Sequence, residues 1–261
     1  MIKFTIGADP EFFLKDTETR AYVSAHDKVP GTKHKPVKLP DGSAIQADGT
    51  AVEFNIEPAE TAEEFSDKIF SAINEIRKII PTRYEFCYQP YVTYSSPVWK
   101  EIPDSAKELG CDPDWSAISF SEGQQNTVVN PGQTRTGSGH IHLGWTKDQP
   151  TKHDTVHFKD AILFAACLER TFGSVLTKLD PLLGVRERYY GLPGSFRCKP
   201  YGMEYRRLSN AWLSDKKKHI FVAKAALQTA QQIAQGKPVV LSPYGYYGLN
   251  RGFEEFPALT W

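Results

Sequence analysis

The sequence predicts an α+β fold: a curved, largely antiparallel sheet with helices packed on one face, forming a single domain over residues 1–261. Three observations predict it. Strand-like runs come first and helical periodicity later, with no βαβ rhythm of the kind that builds a parallel sheet. The strand runs alternate apolar and polar side chains, so one face of the sheet is to be covered and the other is not. No Pro- or Gly-rich linker divides the chain.

The elements follow in order. Residues 2–8, IKFTIGA, read as a strand that continues through Glu11 to Leu14, and residues 20–24 as a second. Residues 26–50 are polar and turn-rich, which suggests a long hairpin or flap, with Lys28, Lys33, His34 and Lys35 as candidates for a basic lid. A strand over 51–57 comes next. Thr61 with Glu64 fits a capping box, Phe65, Ile69, Ile73, Ile76 and Ile80 recur at helical spacing, and Pro81 ends the run. Further strands are expected at 83–95, 126–129 and 139–145. A long helix is expected over 154–179, and another from Ser214 as N-cap to Gly236 as C-cap. The tail carries Tyr244, Tyr246, Tyr247, Phe253 and Phe256, a set that reads as packing against the sheet or, less simply, as a partner surface.

Bulk properties exclude several classes. Lys plus Arg and Asp plus Glu each total 31, so no charge excess points to nucleic acid or an anionic membrane as partner. The N-terminus lacks the apolar run of a signal peptide and no segment is long and apolar enough to span a bilayer, so a cytoplasmic protein is expected. Cys87, Cys111, Cys167 and Cys198 are widely spaced and read as reduced thiols.

Four strands carry chemistry on their polar faces. Asp9 and Glu11 share one face of GADPEFFL, and Glu53, Asn55 and Glu57 share one face of AVEFNIEP. His140 and His142 share a face of GHIHLG, and Glu204 and Arg206 a face of GMEYRRL. Any one of these alone reads as a wetted strand face. Four of them, each flanked by Gly or Pro, point to a divalent-metal site on a sheet. Carboxylates suit Mg²⁺, and the histidines also admit Mn²⁺ or Zn²⁺. Asp48, in Ala-Asp-Gly, reads as a turn residue before it reads as a ligand.

These motifs, in this order, resemble the phage carboxylate–amine ligases (type 2 amidoligases) of the glutamine synthetase and glutamate–cysteine ligase superfamily. GADPEFFL is similar to the acidic first strand, ADGTAVEFNIEP to the second acidic strand, TGSGHIHLGW to the Gly-rich His strand and GMEYRRL to the late Glu-x-Arg strand. LGVRERYYGLPGSFR stands where the family keeps phosphate-binding arginines. The resemblance implies a fold like the glutamine synthetase catalytic domain, in the cytoplasm of an infected host. It implies ATP and Mg²⁺, or Mn²⁺, as cofactors, and a carboxylate and an amine as substrates, most simply amino acids or peptides. It also implies a homo-oligomer. The metal ligands would be Glu11, Glu53, Glu57, His142 and Glu204, with His140 left open as the alternative imidazole. Arg186, Arg188, Arg197 and Arg206 would bind phosphate, and Arg186, Arg206 and Glu53 would act in catalysis.

The chemistry matches those residue types. Such ligases let a carboxylate attack the γ-phosphate of ATP, and an amine captures the acyl phosphate. Anion approaches anion, so metals and guanidinium groups must neutralise the developing charge. Two rivals use the same residues: a metal-dependent amide hydrolase needing no nucleotide, and a non-catalytic ligase-like binding module.

Overall fold

The computed structural model describes residues 3–108, 114–118, 132–146, 155–173 and 175–237. The first predicted strand is two. β1 (Thr5–Ala8) and β2 (Glu11–Asp16) are separated at Asp9-Pro10, where proline has no N–H to give the ladder. There follow β3 (Tyr22–Val23), β4 (Val37–Lys38), β5 (Ala44–Asp48) and β6 (Ala51–Asn55), then helix α1 (Ala62–Ile79). β7 (Tyr84–Cys87) and β8 (Tyr91–Thr93) precede two short helices, α2 (Ser96–Glu101) and α3 (Asp104–Lys107). β9 (Trp115–Ser116), β10 (Thr134–Thr136) and β11 (Ile141–Gly144) lead to helices α4 (Thr155–Gly173), α5 (Leu176–Leu179) and α6 (Leu183–Arg186). The chain continues through β12 (Ser195–Lys199), β13 (Gly202–Tyr205), a 3₁₀ turn at Asn210–Ser214 and α7 (Lys216–Ala234).

Five strands run in the order β1-β11-β13-β12-β9, and a second group in the order β3-β2-β6-β5-β4, with β7 also on β2. All the registers within these groups are antiparallel. The Asp9-Pro10 break joins them. On one side Glu11 N donates to Ser138 O at 2.8 Å, and on the other Phe54 N donates to Pro10 O and Ile56 N to Ala8 O, both at 3.2 Å. The two groups therefore bend into one another as a curled sheet.

The helices cover one side. Met203, Tyr205, Phe196 and Ile6 are fully buried beneath them, with Tyr205 stacked on Phe172 of α4 and Phe4 edge-on to Phe164. α1 packs on α7 through Phe65, Ile69, Ala72 and Ile76, and Phe65 lies against Trp212, ring centroids 5.7 Å apart. A second small core gathers Phe13, Val92, Tyr94, Ile102 and Ala106 under the β8–β10 pair.

The predicted start of α1 is the observed one: Thr61 Oγ1 accepts from Glu64 N at 3.1 Å, while Glu64 reaches back to Glu60 N rather than to the cap residue. α7 starts one residue later than expected, capped by Asp215, whose carboxylate accepts from Lys217 N at 2.6 Å; Ser214 closes the preceding turn instead. It ends in a Schellman motif, with Lys237 N bonded to Gln232 O, Gly236 N to Ile233 O, and Gly236 at φ +65°. The helix expected over 154–179 is interrupted after Gly173, a poor helix former, and resumes as α5. Residues 83–95 form two strands with different partners, β7 on β2 and β8 on β10. The strand expected over 51–57 stops at Asn55. The expected strand at 126–129, Cys111 and the aromatic tail lie outside the described residues. Among the described residues no helix is long and apolar enough to cross a membrane, and Cys87 and Cys167 are free thiols.

The glycines of TGSGHIHLG have a steric reason. A Cβ on Gly139 would lie 2.2 Å from Ser209 O and 2.4 Å from Trp212 Nε1, and Trp212 Nε1 donates to Gly139 O at 3.0 Å. Gly139→Ala should therefore cost about 3 kcal/mol, read as a lowered urea midpoint at unchanged slope. Phe70, exposed on α1, should tolerate Ala within about 0.5 kcal/mol in the same measurement.

Candidate functional site

The uncovered face of the sheet carries two adjoining groups of metal-ligating side chains. The first lies along a single row. Antiparallel register sets His142 of β11 opposite Gly7 of β1 on one side and Glu204 of β13 on the other, and Glu204 opposite Arg197 of β12. Continuing the β12–β9 register, in which Phe196 faces Trp115, brings Asp114 beside Arg197. Gly7 leaves room at the row's end, where a Cβ would meet the Cβ of His142. Asp9, His140 and Glu204 bring one ligand atom each within 4.8 Å of one another. His142 Nε2 lies 3.0 Å from Asp9 Oδ1, and His140 Nδ1 lies 3.2 Å from Glu204 Oε1. Tyr201 OH is hydrogen-bonded to His142 Nδ1, which turns Nε2 toward Asp9.

The second group is a row across three strands. Glu11 of β2 faces Glu53 of β6, which faces Gln46 of β5. Asp48, two residues along β5 and so on the same face as Gln46, completes a set with Glu11 and Glu53 whose oxygens lie within 4.8 Å. Glu11 Oε2 accepts from Ser138 N at 3.0 Å and Glu53 Oε2 from Gln46 Nε2 at 2.8 Å. These donors are neutral. Burial, then the carboxylates of Asp48 and Asp9, push the Glu11 carboxyl up to about 8. Burial and the charges of Asp9, Glu11 and Asp48 hold Glu53 well above the usual carboxylate range.

The cations stand on the Glu204 side. Lys199 Nζ lies 2.8 Å from Glu204 Oε2, Arg197 Nη1 3.8 Å from the same oxygen, and Arg206 Nη1 contacts Oε1. Burial alone would raise the Glu204 pKa, but the histidines and Lys199 outweigh it and keep the group ionised. His140 is held down at about 4 by burial and by Arg206, so it is neutral and able to act as a ligand. His142 shifts the other way: burial lowers it, and the Asp9 and Glu204 carboxylates together raise it by more.

Of the sequence candidates, Glu11, Glu53, His142, Glu204, Arg197 and Arg206 are brought together; His140, the alternative imidazole, stands with them and is the one grouped with Asp9 and Glu204. Glu57 is not: the strand ends before it, and it is exposed with its carboxylate 3.2 Å from Lys38 Nζ. Arg188 is exposed beyond α6. Arg186 is enclosed, with 0% of its surface exposed. Its Nη1 donates to Arg207 O at 3.0 Å and its Nη2 to Ser138 Oγ at 3.4 Å, while Gly191 leaves no room for a Cβ beside it. Arg186 thus props Ser138, whose N–H holds Glu11, rather than facing a solute. Lys28 pairs with Asp27 at 2.6 Å, and Lys33, His34 and Lys35 are exposed in a turn closed by Thr32 and Lys35.

Four residues escaped the sequence reading: Asp114, Tyr190, Lys199 and Tyr201. Tyr190 OH accepts from Arg206 Nη2, and its ring lies 5.3 Å from the Arg186 guanidinium and 5.4 Å from that of Arg206. Asp48 had a signal, its two-residue spacing from Gln46, which the Asp-Gly turn masked. Asp114 had none, because nothing in its local sequence is periodic.

The donor set fits hard divalent cations. Carboxylates with one or two imidazoles suit Mg²⁺ or Mn²⁺, and each of the two groups brings three ligand atoms within 4.8 Å of one another.

No protein-family model matches the chain, and no curated protein does. Among solved structures it is similar to a bifunctional glutathione synthetase from Pasteurella multocida, at 11% sequence identity and a TM-score of 0.45. That match covers 90% of this chain and 40% of the other, so this chain spans less than half of that protein's length. The reading of the site rests on its own geometry.

Proposed function

We propose that the protein is an ATP-dependent carboxylate–amine ligase that forms an amide or isopeptide bond through an acyl phosphate. One observation carries the reading: two adjoining carboxylate groups share a sheet face, one ringed by Lys199, Arg197 and Arg206 and the other lacking a charged hydrogen-bond donor. The order of the motifs that resemble the amidoligases supports it as well.

Asp9, His140 or His142, and Glu204 would hold one divalent cation, and Glu11, Asp48 and Glu53 another. Bound there, Mg²⁺ or Mn²⁺ neutralises phosphate charge during attack by the substrate carboxylate. The protein's own groups do the rest. Arg206 and Arg197 present planar donors suited to a phosphoryl group or a substrate carboxylate. Glu53, held above the usual carboxylate range by burial and by its acidic neighbours, would exchange its proton for a cation bound there. Arg186 keeps Ser138, and so Glu11, in place. Hydrolysis of a neutral amide would not call for so many cations at the rim, which disfavours the hydrolase.

Calorimetric titration with a non-hydrolysable ATP analogue should show Mg²⁺-dependent binding to wild type, weakened at least tenfold in Glu204→Gln. Glu53→Gln should fold normally yet release no ADP with any substrate pair. Absence of nucleotide binding to wild type at saturating Mg²⁺ would refute the ligase.

The carboxylate crowding sets a pH dependence. Glu11 is raised from 4.5 to about 8 in the folded state, so the native protein binds more protons than the unfolded chain between those values. Its contribution to stability is complete below 4.5 and is lost as pH rises through 8; Glu53 and His142, also raised, change in the same direction. Metal-free protein should therefore melt at lower temperature at pH 8.5 than at pH 6.5, and Glu11→Gln should flatten the slope. Mg²⁺ or Mn²⁺ should raise the melting temperature more at the higher pH. A flat or rising metal-free profile would contradict the crowding.

A further inference from the structure

The two arginines at the metal-facing row are each held from two sides. Arg206 approaches Glu204 Oε1 through Nη1 and lies 2.7 Å from Asp114 Oδ1 through Nε. Arg197 lies 3.8 Å from Glu204 Oε2 through Nη1 and 3.5 Å from the same Asp114 oxygen through Nε. Asp114 is 7% exposed and Arg206 2%. A carboxylate this buried survives as an ion only when it is paired, and here the pairs are the two guanidinium groups.

A divalent ion on Glu204 would weaken its hold on the arginines. An ion bound by its carboxylate replaces the attraction of Arg206, Arg197 and Lys199 with repulsion between cations. Without a second anchor the arginine side chains would swing away at the moment when a phosphoryl group needs them. Asp114 is outside both ligand groups, since neither Asp9–His140–Glu204 nor Glu11–Asp48–Glu53 includes it.

We propose that Asp114 is a positioning residue: it grips Arg206 and Arg197 by their Nε edges, so that a divalent ion taking Glu204 frees their Nη1 donors for an anion without releasing the side chains. Tyr190 OH, bonded to Arg206 Nη2, steadies the far edge of one of them. The arrangement separates two tasks that a single acid would confound, holding the metal and holding the arginines. The inference rests on the ligase reading for the identity of the anion, a nucleotide phosphate, but not for the grip itself.

The grip is read by ¹⁵N NMR of the arginine Nε–H groups, assigned with Arg206→Lys and Arg197→Lys. Wild type should show slowly exchanging Nε–H signals for both arginines, present with and without saturating Mg²⁺. Asp114→Asn should lose them and Asp114→Glu should restore them. Persistence of both signals in Asp114→Asn overturns the proposal, as does their loss from wild type on adding Mg²⁺; the second measurement stands even if Asp114→Asn fails to fold. Calorimetry supplies the functional arm. Asp114→Asn should keep Mn²⁺ affinity within about threefold of wild type and weaken metal-dependent binding of a non-hydrolysable ATP analogue at least tenfold, with recovery in Asp114→Glu. Equal losses of Mn²⁺ and nucleotide affinity would show a merely structural role and overturn it. If wild type binds no nucleotide, the ligase reading fails, while the NMR signals still decide the fate of the grip.

Discussion

Repulsion among carboxylates governs this structure. Asp9, Glu11, Asp48, Glu53 and Glu204 meet on one face of a curled sheet, where burial first and like charge second drive Glu11 and Glu53 toward the protonated form. Side chains on a flexible surface would relax apart. Here the antiparallel register of Glu11 with Glu53 and of His142 with Glu204 fixes their roots. The opposite face of the same strands is locked into the core by Phe12, Phe54, Leu143 and Met203, each 0–1% exposed. The hydrophobic core is therefore what keeps like charges together, since moving one polar group outward would drag its apolar neighbours into water.

The surroundings treat the two groups differently. Glu204 is given Lys199, Arg197 and Arg206, so its charge is balanced within the protein. Glu11 and Glu53 accept hydrogen bonds from neutral donors, an amide N–H and the side-chain amide of Gln46, and the charge of Arg186 offsets the crowding at Glu11 only in part. A group oriented but not neutralised is prepared for a positive charge from outside. This asymmetry is more informative than the presence of acidic residues, which is common on protein surfaces.

Support for the site comes from behind the sheet edge. Gly139 lies against Ser209 and Trp212, and Arg186 spans from Arg207 O to Ser138, the residue whose N–H orients Glu11. The chain from Ser138 to His142 is thus held by backbone, indole and guanidinium at once. That rigidity sets the spacing among Asp9, His140 and Glu204 to within the short range that one ion requires.

The sequence by itself determined the α+β class, the polarity of the strand faces, the start of α1 at Thr61 and the end of α7 at Gly236, and it singled out Glu11, Glu53, Glu204 and the two histidines that meet on one face. These follow from local rules, because alternation, caps and glycines act over a few residues. It could not decide where strands stop or which side chains meet. Glu57 stands four residues beyond Glu53, on the same face if the strand continued, yet the strand ends first and it pairs with Lys38. Arg186 sits in an arginine-rich stretch that reads as an anion site, yet it is enclosed as a strut. Asp114 carries no pattern at all, and only the pairing of β9 with β12 brings it to the arginines. Burial and partnership are set by register between strands distant in sequence, and tertiary structure alone fixes that register.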